Sequence, residues 1–270
     1  MLQTNDKHCH ACGQYLADKL RPTIGPDNRF VLYANDFRDV GLAIGDDAVD
    51  AVISDPPYGS GGFTVKDVLK PSKTKYVNSE SKYQMTLPDI DGDSLHPMAW
   101  RQLMTDACNM AKRVLTDRGV LVLFIDWRNL PQLQEIIHST GFTLRGTVIW
   151  NKGNGSRPIK NGFKNQSEFM LWATKGKMPI RSTPVYLPGV LSHSTMTGGK
   201  VHITQKPESL MLDVVKVCPE GGSIFDPFMG SGTTGVAALK SGRRFIGCES
   251  VNQYFDTSVR RCTEALEASL

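Results

Sequence analysis

Ser223-Ile224-Phe225-Asp226-Pro227-Phe228-Met229-Gly230-Ser231-Gly232-Thr233 is the stretch from which the fold can be read. Ser223–Phe225 reads as a short strand, Asp226 to Gly232 as a turn, and Thr233 to Lys240 as a helix. Gly230 and Gly232 permit close backbone approach, and the helix opening at Thr233 presents free amides toward the strand's carboxyl end. A second strand, Arg244–Cys248, follows and ends at Glu249, 17 residues after Gly232. An acid at that place suits ribose hydroxyls, so this segment predicts a site for a nucleoside-containing cofactor, with a ligand-free packing turn as the alternative. It is not a Walker loop, because no lysine follows the last glycine.

Working outward, strands and helices alternate. Thr204 reads as the cap of a helix through Leu210, Met211, Val214 and Val217 to Gly221-Gly222, and Phe255, Val259, Cys262 and Leu266 as the inner face of a final helix. Upstream, Phe30–Ala34, Val49–Ser54, Gly119–Ile125, Phe142–Trp150 and Glu168–Thr174 read as strands. Helices are expected from Ser94 to about Leu115 and from Leu130 to Thr140. Runs such as VDAVIS and GVLVLFI, apolar with little alternation, mark strands covered on both faces. The whole predicts an open, mostly parallel sheet with helices on either side.

Val49–Ser54 stops at Asp55-Pro56-Pro57-Tyr58. Two prolines stiffen the chain and remove two donors. The Asp55 carboxylate and the Pro56 carbonyl become adjacent acceptors, suited to an amino group with two hydrogens. Tyr58 supplies a flat face for a base. Taken alone, the four residues could also be an ordinary turn.

With both segments in view, the chain resembles the β group of amino-group DNA methyltransferases that use S-adenosylmethionine, over residues 30–265. Asp55-Pro56-Pro57-Tyr58 matches that family's catalytic motif and Asp226 to Thr233 its cofactor loop. Glu249 matches the acid that binds the cofactor ribose, and Asp36 resembles the residue near the adenine. Thr204-Gln205-Lys206-Pro207 matches the segment preceding the cofactor loop. The resemblance implies a Rossmann-like α/β fold of seven strands, one reversed, in circularly permuted order. It implies S-adenosylmethionine contacts from Asp36, Asp55, Lys206, Asp226, Phe228, Gly230, Ser231, Gly232, Thr233 and Glu249. It also implies transfer of a methyl group to a flipped base. Aspartate at 55, where cytosine-N4 members commonly carry serine, favours adenine N6; cytosine N4 is the alternative, and an inactive DNA-binding relative the alternative of another class. Cytosine-C5 chemistry needs a cysteine after a proline, and none of the six cysteines follows one. Glutamine-directed relatives resemble Asn-Pro-Pro-Tyr instead.

Charge marks the polyanion side. The 270 residues carry a net +4, but Asn151 to Gln205 alone holds eight Lys/Arg against one acid, Glu168. That +7 segment suits DNA, with a solvated basic face as the alternative. Lys152, Arg157, Lys160, Lys164, Arg181 and Lys200 are therefore candidate DNA contacts, beside Lys175 and Lys177. The expected division is a polar lead-in (1–28), a catalytic half (29–150), a target-recognition insert (151–205) and a cofactor half (206–270). The catalytic half carries a basic loop, 59–93, too long for a simple connection and read as a lid or binding loop. His8, Cys9, His10 and Cys12 lack a second ligand pair, so no metal is expected. The N-terminus shows no signal-peptide core, and no apolar run reaches the roughly 18–20 residues of a membrane span. A cytoplasmic protein acting on double-stranded DNA is expected, with a homodimer left open and no membrane partner.

Overall fold

The computed structural model describes residues 20–59, 95–156, 158–195 and 205–268. The expectations for His8, Cys9, His10, Cys12, the loop beyond Gly59, Ser94, Arg157, Lys200 and Thr204 lie outside the described residues. Nine strands form one sheet: β1 (Thr23–Ile24), β2 (Phe30–Tyr33), β3 (Val49–Ser54), β4 (Leu115–Ile125), β5 (Thr143–Asn151), β6 (Ser167–Thr174), β7 (Val190–Ser192), β8 (Ser223–Asp226) and β9 (Arg244–Cys248). Their order is β1-β2-β9-β8-β3-β4-β6-β5-β7. Pairing is parallel from β2 to β4, and β6 runs against both β4 and β5. The expected seven strands with one reversed are thus extended to nine by two short edge strands. β1 pairs antiparallel with β2, and β7 pairs parallel with β5. Elements of two and three residues carry no period that a pattern can register.

Helices cover both faces, as their apolar stripes require. On one side lie α1 (Phe37–Ala43), α2 (Pro97–Val114) and α3 (Leu130–Ser139), burying Val40, Trp100, Met104 and Ile137. On the other lie α4 (Glu208–Val214), α5 (Thr233–Lys240) and α6 (Asn252–Glu267), burying Leu210, Ala238 and Cys262. α5 follows β8 on one face while α2 enters β4 from the other. A crevice therefore opens at the carboxyl ends of the adjacent strands β8 and β3, the place where open α/β sheets bind ligands.

Several boundaries differ from expectation for local reasons. α2 starts at Pro97, with His96 Nδ1 accepting the Met98 amide at 3.3 Å, and proline suits this first turn. β4 begins four residues early because a register shift lets Arg118, at φ +66°, stay on the strand. The helix expected from Thr204 is α4, entered at Pro207, followed by a 3-10 turn at Val215–Val217. On α6 the buried face is Tyr254, Ser258, Cys262, Ala265 and Leu266, which includes the expected Cys262 and Leu266, with Phe255 and Val259 only partly buried. A small residue at 258 is needed there, as the site shows. No described helix is long and apolar enough to cross a membrane.

Candidate active site

The crevice is a cavity of about 770 Å³. On one wall, β2 and β9 run side by side and release Asp36 and Glu249. Asp36 caps α1, its Oδ1 accepting the Arg38 amide at 2.8 Å. Glu249 accepts the Gly230 amide (3.0 Å) on one oxygen and the Val251 amide (2.8 Å) on the other. Those bonds fix the carboxylate against the glycine turn, at the wall of the cavity. Gly230 and Gly232 sit at φ +51° and +79°, a region that favours glycine. Arg261 of α6 ties the turn down through the Ser231 carbonyl (2.6 Å) and the Thr233 hydroxyl (3.2 Å).

Gly232 also has a packing role: a Cβ there would lie 2.9 Å from Ser258 Cβ on α6. Asp36, Asp55, Lys206, Asp226, Phe228, Gly230, Ser231, Thr233 and Glu249 line the cavity, and Gly232 stands between two of them in the turn. Cavity size, opposed acids on adjacent strands and a glycine turn at a helix start all fit an adenosine-bearing cofactor.

β3 and β8 are joined beneath the cavity by Ser54 Oγ donating to Asp226 Oδ1 at 2.5 Å. Asp226 also accepts the Phe228 amide at 3.1 Å. Burial pushes its carboxyl up to about 6, against these hydrogen bonds. Opposite lies Asp55-Pro56-Pro57-Tyr58. Trp100 Nε1 donates to the Pro57 carbonyl (2.8 Å), and Asn129 Nδ2 donates to the Tyr58 (2.7 Å) and Gly59 (3.2 Å) carbonyls. Gly59, at φ +57°, passes so close to the Trp100 ring that a Cβ would sit 2.5 Å from it. No described residue donates to the Pro56 carbonyl.

The side chains of this motif enter a charge cluster. Asp55 Oδ2 accepts from Lys206 Nζ at 2.5 Å, and the Tyr58 hydroxyl lies 2.7 Å from Asp55 Oδ1 and 2.5 Å from Glu168 Oε1. Lys206 also reaches Glu168 at 3.0 Å, and Lys152 pairs with the other Glu168 oxygen at 2.7 Å. Burial raises the Asp55 carboxyl despite Lys206 beside it. For Glu168 burial works upward too, but Lys206 and Lys152 outweigh it and hold the group at about 2. Burial lowers Lys206, yet Asp55 and Glu168 more than reverse this and keep the ammonium charged. Burial and the two carboxylates push the Tyr58 hydroxyl well up. Two acids thus face two ammonium groups, which is what charges this buried require.

Lys206 keeps its place at the cavity, while two readings of the basic segment change. Lys206 turns its ammonium to Asp55 and Glu168, and that nitrogen lies 5.2 Å from the centre of the Tyr58 ring. Lys152 is held by Glu168, not offered to solvent. The +7 segment, finally, does not form one face. Because β6 runs backwards in the sheet interior, Ser167 and Glu168 lie at the carboxyl edge with Asp55, and Thr174 at the opposite edge beside Val120. Lys175 there pairs with Asp47 at 2.6 Å. Arg181 donates to the carbonyls of Lys216 and Val217 ahead of β8. Neither Arg181 nor Lys175 is at the cavity. Lys160 and Lys164 remain on the carboxyl-edge side, exposed in the 152–166 connection, flanking Phe163 at 97% exposure. The strand expected within the insert is β6, an interior strand of the sheet between β4 and β5.

Glu168, Trp100, Asn129, Gly59 and Arg261 complete the site, and none was identified from sequence as part of it. Only Glu168 left a signal, as the single acid of a basic segment.

This sheet, crevice and pair of opposed motifs define an α/β methyltransferase fold of class I type. The chain belongs to the DNA methylase family, whose model matches residues 49–260. It is an S-adenosylmethionine-dependent DNA methyltransferase. It is 30% identical over 215 residues to the putative methylase YubD of Escherichia coli K12, covering 79% of this chain and 82% of that one. Among solved structures, the M1.HpyAVI–SAM complex superposes with a TM-score of 0.60 at 24% identity, over 86% of this chain and 98% of the other. The PvuII cytosine-N4-specific DNA methyltransferase gives 0.61 at 17% identity, over 86% of each chain. These two likenesses are of fold.

Proposed function

We propose that the protein transfers a methyl group from S-adenosylmethionine to the N6 amino group of an adenine flipped out of double-stranded DNA. The observation that carries this is the Asp55 carboxylate at the mouth of β3, facing the cavity beside the Pro56 carbonyl, to which no described residue donates. Bound S-adenosylmethionine supplies an electrophilic sulfonium methyl. Glu249 and the Gly230 turn would hold its ribose side, and Asp36 its adenine. An exocyclic amine is a poor nucleophile because its lone pair is delocalised into the ring. Asp55 Oδ1 and the Pro56 carbonyl, accepting its two hydrogens, favour a pyramidal nitrogen with the lone pair directed into the cavity. Positioning and electrostatics carry such a step. The base must leave the stack to reach Asp55, and the Tyr58 ring lines its entry.

For DNA contact, Lys160 and Lys164 with the exposed Phe163 support a surface at the carboxyl edge, where the 152–166 connection reaches the cavity through Asn165. The 151–205 segment then reads DNA only through the parts flanking β6 and β7. Nucleoside mass spectrometry of DNA methylated by the purified protein tests the reading. N6-methyladenine is the expected product, and N4-methylcytosine alone would transfer the assignment to cytosine. Asp55→Ala should cost about 100-fold or more in turnover while cofactor affinity changes only a few-fold. A variant keeping a tenth of the wild-type rate would remove Asp55 from this role.

A further inference from the structure

The hydroxyl of Tyr58 has one hydrogen and two carboxylates to receive it, Asp55 Oδ1 at 2.7 Å and Glu168 Oε1 at 2.5 Å. Which one accepts matters. If the hydrogen goes to Asp55, it occupies the oxygen that the target amine needs. If it goes to Glu168, Asp55 Oδ1 stays open. From this geometry we propose that Glu168 is a positioning residue of the methyl-transfer site: by taking the Tyr58 hydrogen and sharing Lys206 it leaves Asp55 free to accept from the amine. The inference rests on the function proposed above.

Glu168 is built for this. It enters from β6, the reversed strand, so it reaches the carboxyl edge from the side opposite Asp55. Its side chain is only 12% exposed, and Lys152 and Lys206 hold it at 2.7 and 3.0 Å. A carboxylate fixed by two ammonium groups has no rotamer freedom to lose when Tyr58 binds it. Lys206 divides its hydrogens between the two acids, so Asp55 is not left in a closed one-to-one ion pair. With glutamine at 168 the cluster would carry one net positive charge. Lys206 would then lean wholly on Asp55. The Tyr58 hydrogen would turn to the stronger acceptor, the Asp55 carboxylate.

Glu168→Gln should therefore lower kcat about 10-fold or more, with KM for DNA and for cofactor within about threefold. Removing the misdirected hydroxyl should relieve the defect, so that Tyr58→Phe in the Glu168→Gln background raises kcat at least about threefold over Glu168→Gln alone. A merely structural role for Glu168 would give two losses that add. A readout without cofactor accompanies this: carbon-13 titration of Asp55 should show its carboxyl ionising at lower pH in Glu168→Gln than in wild type. The groups around Asp55 are Tyr58, Lys206, Lys152, Asp226 at the end of β8, and Asp126 beyond β4, itself paired with Arg128 at 2.7 Å. Glu168 completes this set, and it is the member that changes in the variant. If Glu168→Gln does not fold, Glu168→Asp keeps the charge but withdraws it from the hydroxyl, and the same relief by Tyr58→Phe is expected. Wild-type kcat in the Glu168 variants, or a loss that Tyr58→Phe deepens additively, would overturn the inference. Wild-type protein that methylates no base would overturn the functional reading instead.

Discussion

Replacing Asp226 by asparagine isolates the cost of an ionised carboxylate beneath the cavity. The side chain is 1% exposed, and burial raises its carboxyl from the ordinary 3.8 to about 6, against hydrogen bonds from Ser54, Thr234 and the Phe228 amide. The sign follows from proton counting. Below about pH 3.8 the group is protonated in both folded and unfolded chains and contributes no difference. As pH rises toward 6 the unfolded chain releases its proton while the folded one keeps it, so stability falls. Above about 6 the loss levels off at about 3 kcal/mol, at ~1.4 kcal/mol per pH unit. Asparagine keeps an acceptor for the Phe228 amide and never ionises. Urea unfolding at steps from about pH 4 to about pH 8 should show the variant gaining on the wild type by about 2.4 kcal/mol, nearly all of it below about pH 6.5. A difference that stays flat across this range, or moves toward the wild type, would refute the reasoning.

Other expectations follow from the same contacts. Glu249→Ala should weaken S-adenosylmethionine binding by about 10-fold or more in calorimetry, since charge-assisted bonds are worth ~1.5–3 kcal/mol and the Gly230 and Val251 amides lose their acceptor. Gly232→Ala should destabilise the fold by ~1 kcal/mol or more in thermal unfolding, because of its positive φ and the Ser258 contact. Ser258→Gly should recover part of that loss, which a clash with cofactor would not allow. Substituting Lys160 and Lys164 together by glutamine should reduce the slope of log affinity for DNA against log salt by about two units. The same change at Lys175 and Lys177 should leave the slope unaltered, and an equal effect at both edges would return DNA contact to the whole basic segment.

Much of the architecture was legible in the linear pattern, for identifiable reasons. Val49–Ser54 and the core of β4 are buried on both faces, so they read as continuous apolar runs. α5 and β9 match their expected bounds, because glycines and a short apolar run punctuate them. Asp55-Pro56-Pro57-Tyr58 and the Asp226–Thr233 turn are local motifs whose chemistry depends on residues adjacent in the chain. Their meeting across the β3–β8 pair follows from the alternation of strands and helices. What no local pattern encodes is direction and distance. Charge counted along residues 151–205 suggested one basic face, but β6 is reversed, and reversal sends its two ends to opposite edges of the sheet. That reversal alone carries Lys175 and Arg181 away from the cavity and brings Glu168 into it. The same applies to Trp100, Asn129 and Arg261, which hold backbone groups many residues away. Residue types, periods and turns are properties of neighbours along the chain and were determined by the sequence itself. Which carboxylate receives the Tyr58 hydrogen depends on separations of a few ångströms between β3, β6 and the segment before α4, and only the folded sheet decides those.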